Sequence, residues 1–258
     1  MKLKKLSLFG AVAGALLLTA ALAPKANALT TELLVYYNFN SEADGQQPPY
    51  LSVAPGLETG IVLDNTTGGT AFPSGNLTID STAGTVLSPF GGTVYQETTD
   101  GGALDARGNT TGGGLPNPAQ PYCFVIGPFS ANTINTSIGF ALLSTGTGQF
   151  TTLTLSYSTD GTTFTDFHTF TSLHQYTTYT ALSANLPAGA QLQSTLYIQF
   201  CFTGASNNNT NNNTFIDNIQ ITGDIPEPST YIGGLLGIAG LCWYQRRWLV
   251  RCLRLRCT

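Results

Sequence analysis

The amino-acid sequence predicts an all-β protein: an antiparallel β-sandwich flanked by an N-terminal signal-peptide helix and a C-terminal transmembrane helix. Three observations lead to this prediction. The middle of the chain is rich in Thr, Ser, Asn and Gly and poor in residues that favour helices. It contains roughly ten short segments of strand character separated by turn residues. Both ends carry long uncharged runs next to basic residues.

Residues 1–28 have the organisation of a secretory signal peptide. A lysine-rich start precedes an apolar run over residues 6–23, and Pro24 then breaks the helix. Ala26 and Ala28 form the small-x-small pattern that signal peptidase cleaves, which predicts a mature chain beginning at Leu29. An uncleaved anchor is the alternative, because the apolar run is long for a signal peptide.

The charge is unevenly distributed. Of the 10 Lys and Arg residues, only Arg107 lies between Leu29 and Ser229, whereas all 14 Asp and Glu residues lie there. The formal charge of this region is therefore −13, against −4 for the whole chain. A lysine-free acidic region repels phosphate backbones, which excludes nucleic acid as a partner.

Residues 29–224 are predicted to fold as one β-sandwich domain. Several segments alternate apolar and polar residues with period two, most clearly Leu153, Leu155 and Tyr157 in one strand and Leu196 to Phe202 in another. The predicted strands cover residues 33–39, 59–63, 76–80, 93–97, 122–126, 137–143, 151–158, 162–170, 176–182, 195–203 and 215–221.

Two connections between these strands have distinct patterns. Asp160-Gly161 supplies the positive φ angles of a tight hairpin turn. Residues 100–121 contain repeated Gly and three Pro residues, which predicts a long surface loop.

Residues 225–258 have the organisation of a sorting signal. Pro226 and Pro228 hold Glu227 in an extended, accessible tripeptide. The 18 residues from 228 to 245 carry no charge, and as a helix they would reach about 27 Å, close to the hydrocarbon thickness of a membrane. We predict a transmembrane helix over about 229–245, with Arg246 and Arg247 opening the basic, cytoplasmic tail 246–258.

This C-terminal order resembles the PEP-CTERM sorting signal of bacterial surface proteins. The resemblance implies processing by an exosortase-type membrane protease and delivery of a membrane-anchored precursor to the cell surface or extracellular matrix, often together with exopolysaccharide. The tail of this chain departs from the family pattern because apolar residues such as Trp248 and Leu249 lie among its arginines.

Residues 155–164 and 215–221 resemble pieces of jelly-roll domains in bacterial surface proteins and carbohydrate-binding modules. Period two predicts that Asp217 shares the face of Phe215, Ile219 and Ile221. The resemblance implies a structural calcium ion bound by Asp217 together with Asn40, Glu42 and Asp44, whose oxygens suit this cation. Alternatively, Asp217 accepts backbone N–H bonds from the Asn-rich loop 207–213.

Cys123 and Cys201 are the two cysteines of the predicted exported domain. An even number of cysteines in an oxidising compartment is compatible with a disulfide, and two isolated small apolar residues are the alternative.

Candidate catalytic groups are sparse. Asp166 and His168 are predicted to share one strand face, but they fall short of a zinc ligand set. The sequence contains neither a Gly-x-Ser-x-Gly nor a His-Glu-x-x-His motif.

The leading hypothesis is a non-enzymatic, exported surface or matrix protein with a structural or adhesive role. The alternatives are a calcium-stabilised carbohydrate-binding module and a secreted glycan hydrolase, whose two carboxylates the sequence does not identify.

Overall fold

The computed structural model describes residues 30–39, 62–64, 69–73, 76–90, 101–107, 117, 120–145, 150–205 and 213–225, together with residues 237, 240 and 243. These residues form twelve strands and two short 3-10 helices, Leu173–Gln175 and Ala188–Ala190. The strands are β1 (Thr30–Tyr37), β2 (Val62–Asp64), β3 (Thr70–Ala71), β4 (Leu77–Asp80), β5 (Ala103–Arg107), β6 (Tyr122–Ala131), β7 (Ile134–Thr145), β8 (Thr152–Ser158), β9 (Thr165–Thr171), β10 (Thr180–Asn185), β11 (Gln193–Thr203) and β12 (Asn213–Ile225).

The strands form two six-stranded sheets. Sheet A has the order β10-β7-β12-β5-β4, with β1 also paired to β12. Sheet B has the order β2-β6-β11-β8-β9, with β3 also paired to β6. The pairings among β2 to β12 are antiparallel, except that β3 pairs with β6 in parallel. The predicted all-β, two-sheet architecture is therefore confirmed, with one parallel pair added.

The core lies between the two sheets and is rich in aromatic rings. Phe140 of β7 contacts Phe170 of β9 and Phe200 of β11, with ring centroids 5.6 and 5.5 Å apart. Phe124 stacks on Phe200 within sheet B at 4.8 Å. Edge-to-face and offset contacts of this kind add to the burial of apolar surface, so these rings join sheet A to sheet B.

The alternation predicted in β8 and β11 is confirmed. Leu153 and Leu155 lie in the core and Tyr157 packs against it. In β11, Leu196, Ile198, Phe200 and Phe202 all join the core. The intervening residues of these two strands consequently point to the outer face of sheet B.

The prediction of one long loop over residues 100–121 is wrong in its first part. Residues 103–107 form β5, which lies between β12 and β4 in sheet A and is buried along most of its length. Its Leu-Asp-Ala-Arg pattern alternates, but glycines on both sides hide it in the sequence. The pairing with β12 supplies the hydrogen bonds that such a short segment needs.

The predicted tight hairpin at Asp160-Gly161 is also longer than expected. The β8–β9 ladder ends at Tyr157 and Thr165. Between them, Asp160 Oδ1 accepts the N–H groups of Thr162 and Thr163, both at 2.8 Å. Gly161 has φ +75°, and a Cβ there would lie 3.0 Å from the Tyr197 ring. The side-chain bonds thus replace the first ladder bonds of the predicted two-residue turn.

Several predicted features lie outside the described residues. They include the predicted strand 93–97, the signal-peptide helix, most of the predicted transmembrane helix and the whole basic tail. Residues Thr31–Ile225 form one compact unit, and the helical residues Gly237, Gly240 and Trp243 belong to another. Within the described part of the chain, no helix has both the length and the apolar character needed to cross a membrane.

Candidate functional site

Asp217 lies in β12 and is fully buried. Its Oδ2 accepts a hydrogen bond from the backbone N–H of Thr85 at 2.7 Å, and its Oδ1 accepts one from the N–H of Asn218 at 2.7 Å. Hydrogen bonds to an ionised carboxylate are roughly twice as strong as neutral ones. Asp217 therefore attaches the segment around Thr85 to β12.

A β-bulge follows Asp217. The register of β12 against β7 shifts between Asp217 and Gln220, and Asn218 has φ +51°. Because of the extra residue, Ile216 and Ile219 both join the core, although strict alternation would separate them.

The predicted common face of Phe215, Asp217, Ile219 and Ile221 is therefore wrong. Ile219 and Ile221 belong to the core cluster, whereas Phe215 does not. The bulge changes the phase of the strand between the two halves of this set. Asp217 bonds to a segment over the outer face of sheet A, and the N–H donors in these bonds come from Thr85 and Asn218 rather than from the Asn-rich loop.

Asn218 completes the attachment. Its Oδ1 accepts a hydrogen bond from Tyr36 Oη at 2.8 Å, and its Nδ2 donates to the carbonyl groups of Thr85 at 2.5 Å and Leu87 at 3.3 Å. Asn is among the few non-glycine residues that tolerate a positive φ, so it fits both the bulge and the bonds.

We call residues 83–90 the strap. A Cβ on Gly139 of β7 would lie 2.8 Å from Pro89 Cβ and 2.9 Å from Phe90 Cζ, so the strap packs directly on the backbone of that strand. Tyr179, just before β10, donates its hydroxyl to the carbonyl of Ala83. The strap thus covers the outer face of sheet A above β12 and β7.

The predicted calcium site is only partly described. Asp217 has the partners given above, whereas Asn40, Glu42 and Asp44 lie outside the described residues. Among the residues that are described, no group of three or more His, Cys, Asp or Glu side chains could hold a metal ion. The calcium ion stays a prediction.

Sequence reasoning missed a buried ion pair in β5. Asp105 is fully buried, and Arg107 Nε donates to its Oδ2, while the Arg107 side chain remains 34% exposed. A single arginine two residues from an aspartate in an alternating segment was the available signal, because such residues lie on the same strand face. The pair was hidden by the prediction of a loop there.

Cys123 of β6 and Cys201 of β11 are bonded to each other in the structure. They are direct partners in the antiparallel register, with Cα atoms 4.1 Å apart. Because Phe124, Phe200 and Phe202 point into the core, the disulfide lies on the outer face of sheet B.

Asp166 and His168 do not share a strand face. A register shift in β9 places Asp166 opposite Ser156, whose Oγ donates to Asp166 Oδ1 at 2.6 Å. His168 lies opposite Leu155, and its ring contacts Phe170 at 4.4 Å between centroids. The predicted pairing of this carboxylate and imidazole is wrong, because the bulge turns them to opposite faces.

An open patch remains on the outer face of sheet B. Six residues of three neighbouring strands form two rows, which we call the threonine face: Thr203, Thr152 and Thr171 in one row, and Cys201, Thr154 and Thr169 in the other. Thr169 and Thr171 are exposed and the other four are half-buried. The hydroxyls of Thr154 and Thr169 lie 3.3 Å apart.

The residues predicted for cleavage and for membrane retention lie outside the described part of the chain. They are Ala26, Ala28, Pro226, Glu227, Pro228, Arg246 and Arg247. The last described residues before this region are those of β12, which ends at Ile225.

No protein-family model and no curated protein sequence matches the chain. Among solved structures, it is similar to the K1 cleaved adhesin domain of Lys-gingipain from Porphyromonas gingivalis W83, with 10% identity, a TM-score of 0.41 and coverage of 74% of this chain and 97% of that one. It is also similar to TmCBM61, solved with β-1,4-galactotriose, with 9% identity, a TM-score of 0.32 and coverage of 58% and 83%. It is similar as well to CBM35 from Paenibacillus barcinonensis, with 13% identity, a TM-score of 0.32 and coverage of 63% of this chain and 97% of that one.

Proposed function

We propose that this chain is a non-enzymatic protein of the bacterial cell surface or extracellular matrix, with a structural or adhesive role alongside exopolysaccharide. A signal peptide exports it, and a C-terminal transmembrane helix holds the precursor. An exosortase-type enzyme then processes it near Pro226, Glu227 and Pro228. The exported part is the β-sandwich, of jelly-roll-like form.

One observation supports this proposal: the predicted signal peptide and the predicted C-terminal sorting signal flank a sandwich whose first and last strands pair with each other. β1 pairs with β12, and Thr31 Oγ1 donates to Asp224 Oδ1 at 2.6 Å. Asp224 Oδ2 also accepts a bond from Asn135 Nδ2 at 2.9 Å. These contacts join Thr31, Asn135 and Asp224, which lie between the two predicted cleavage points. Cleavage of the signal peptide or of the sorting signal therefore leaves them in place.

The acidic composition agrees with an extracellular role. The region between Leu29 and Ser229 has one arginine against 14 acidic residues, so it is repelled by nucleic acids and by other polyanions. Its outer surfaces include a patch of threonine hydroxyls, which favours the second candidate function, a carbohydrate-binding module.

The test is the fate of the full chain in its native bacterial cells. We expect protease added to intact cells to digest the protein, and mass spectrometry to find the mature form shortened at both ends. Replacing Pro226, Glu227 and Pro228 with alanine should leave the longer form in the membrane fraction. Triple alanine replacement of Asn207, Asn208 and Asn209 is the matched control and should be processed normally. A mature protein confined to the cytoplasm would contradict the proposal.

A further inference from the structure

The two sheets differ in how their outer faces are covered. On sheet A, Asp105, Asp217 and Asn218 are fully buried and the strap lies over β12 and β7. On sheet B, the threonine face is accessible, most of all along β9. The centre of sheet A, at β12, is therefore covered, whereas the threonine face of sheet B is accessible to a partner.

The threonine face is a regular grid. Neighbouring strands place the three residues of a row about 4.8 Å apart, and successive residues of one face place the two rows roughly 7 Å apart. The disulfide of Cys201 fixes β11 to β6 at the edge of this grid. The hydroxyl groups are thus held at set positions by the backbone.

Threonine gives such a grid a defined chemistry. Each hydroxyl has one donor and two acceptor positions, so it pairs with another hydroxyl in either direction. The side chain is stiff at χ1, so little rotamer freedom is lost on binding. Its methyl group offers a small apolar surface beside the hydroxyl.

The charges around the grid select the class of partner. The threonine face contains no ionisable side chain, because Cys201 is held in a disulfide. Asp166 lies one row further along β9 and already accepts a bond from Ser156. The sequence between Leu29 and Ser229 has 14 acidic residues and one arginine, so this part of the chain repels polyanions. The six residues of the threonine face include no carboxylate that could pair with a cationic partner.

We infer that the threonine face is the docking surface for a neutral, extended polysaccharide, whose hydroxyl groups bond to the rows of threonines. This inference rests on the proposed extracellular role and assigns its ligand class and its site. Binding is through hydrogen bonds and methyl contacts, and it requires neither metal nor catalysis.

The test measures binding of the full chain, in a polyoxyethylene detergent, to microcrystalline cellulose and to beads coated with polygalacturonate. The face variant carries Thr154→Val, Thr169→Val and Thr171→Val, which removes three hydroxyls while keeping side-chain shape and strand preference. We expect wild type to bind cellulose in preference to polygalacturonate. The face variant should bind cellulose at least about tenfold more weakly, as expected for three lost hydrogen bonds.

The control variant carries Thr159→Val, Thr177→Val and Thr178→Val, at exposed threonines outside the strands. It should bind like wild type, and melting temperatures should show that both variants fold. Equal binding by the face variant, equal loss in both variants, preference for polygalacturonate, or no binding of wild type to cellulose would each overturn the inference. If protease added to intact cells still digests the chain in these cases, the proposed surface role is kept and only the inferred polysaccharide-binding site is rejected.

Discussion

Arg107 is the single cation among 14 acidic residues in the central region of the chain, and it lies beside a buried carboxylate. The Arg107 side chain is partly exposed, whereas the Asp105 side chain is fully buried. The cost of burying an unpaired carboxylate is several kcal/mol. Loss of Arg107 therefore removes an ion-pair partner from a fully buried carboxylate.

We predict that Arg107→Ala lowers the free energy of unfolding by about 3 kcal/mol, because it leaves the Asp105 charge buried without its ion-pair partner. Urea denaturation followed by circular dichroism measures the loss. The double variant Asp105→Asn with Arg107→Gln should recover part of it, since the buried charge is then absent. A loss below about 0.5 kcal/mol, the usual scale of a surface substitution, would show that the pair is not needed.

Two adjacent tyrosines of β1 offer a matched comparison. Tyr36 Oη donates to Asn218, whereas Tyr37 Oη is buried in the core with no hydrogen-bond partner among the described residues. Burial raises the pKa of Tyr37 well above its ordinary value, so the phenol is neutral at physiological pH.

We predict that Tyr36→Phe costs about 1–2 kcal/mol of unfolding free energy, because Asn218 Oδ1 loses its donor. Tyr37→Phe should be neutral or stabilising, since it removes a buried hydroxyl that makes no bond. The two denaturation midpoints, compared under the same conditions, are the measurement. Equal destabilisation by both variants would contradict this account of β1.

At the scale of elements, the strap depends on the bulge of β12. Asp217 and Asn218 together hold the backbone of Thr85 and Leu87. Since these bonds join residues about 130 positions apart in the chain, each one couples the covering segment to the centre of sheet A. Loss of the bulge contacts should release the strap before it unfolds the sheet.

We predict that Asp217→Asn costs about 2 kcal/mol, because the amide keeps one acceptor but turns a donor toward a backbone N–H. Hydrogen exchange should show faster exchange of the Thr85 amide, with little change in β8 and β11. The loss should be the same with calcium or with a chelator, since the donors are backbone groups. If the variant is less stable than wild type only when calcium is present, Asp217 acts mainly as a ligand of the predicted calcium ion instead.

The β8–β9 connection has its own pH dependence. Hydrogen bonds from the N–H groups of Thr163 and Thr162, and from the Ser158 hydroxyl, lower the pKa of Asp160 well below its ordinary value. Because the pKa of this carboxyl is lower in the folded chain than in the unfolded chain, its ionised form stabilises the fold at pH values above the ordinary pKa of about 3.9. This stabilisation disappears as the pH falls toward the pKa of the folded state.

We therefore predict that Asp160→Asn lowers the melting temperature at pH 7, and that the difference from wild type narrows as the pH falls below about 4. Thr159→Asn, at the adjacent exposed position, is the control and should show no such narrowing. Melting curves at several pH values provide the comparison. A difference that is constant from pH 7 to pH 2 would exclude this titration as the cause.

At the scale of the whole molecule, the disulfide joins strands that are distant in sequence. Cys123 and Cys201 are 78 residues apart, and closing a loop of that length restricts the unfolded chain strongly. The bond also lies between β6 and β11, whose pairing forms the centre of sheet B.

We predict that replacing both cysteines with alanine lowers the free energy of unfolding by about 4 kcal/mol, on the chain-entropy account of cross-links. Calorimetry of the oxidised wild type, the reduced wild type and the double variant measures it. The reduced protein and the double variant should agree. Identical melting of all three forms would mean that the unfolded chain is already restricted without the bond.

Several features of this protein depend only on neighbouring residues and can be predicted from the sequence. Alternation within β8 and β11 identified the core side of each strand, because period two is a property of the strand alone. Composition predicts the all-β class, which the observed strands confirm, whereas the exclusion of nucleic acid on the basis of charge stays a prediction. The end segments remain predictions, since their residues lie outside those described.

The points at which that alternation stops depend on long-range contacts. The bulge at Asn218 and the register shift in β9 depend on which strands pair and on what covers the sheet, so no local pattern indicates them. The same holds for β5, a strand of five residues stabilised by its neighbours β4 and β12. Long-range contacts thus set the bond between Asp217 and Thr85 and the disulfide of Cys123 and Cys201, because both join residues that are far apart in the chain.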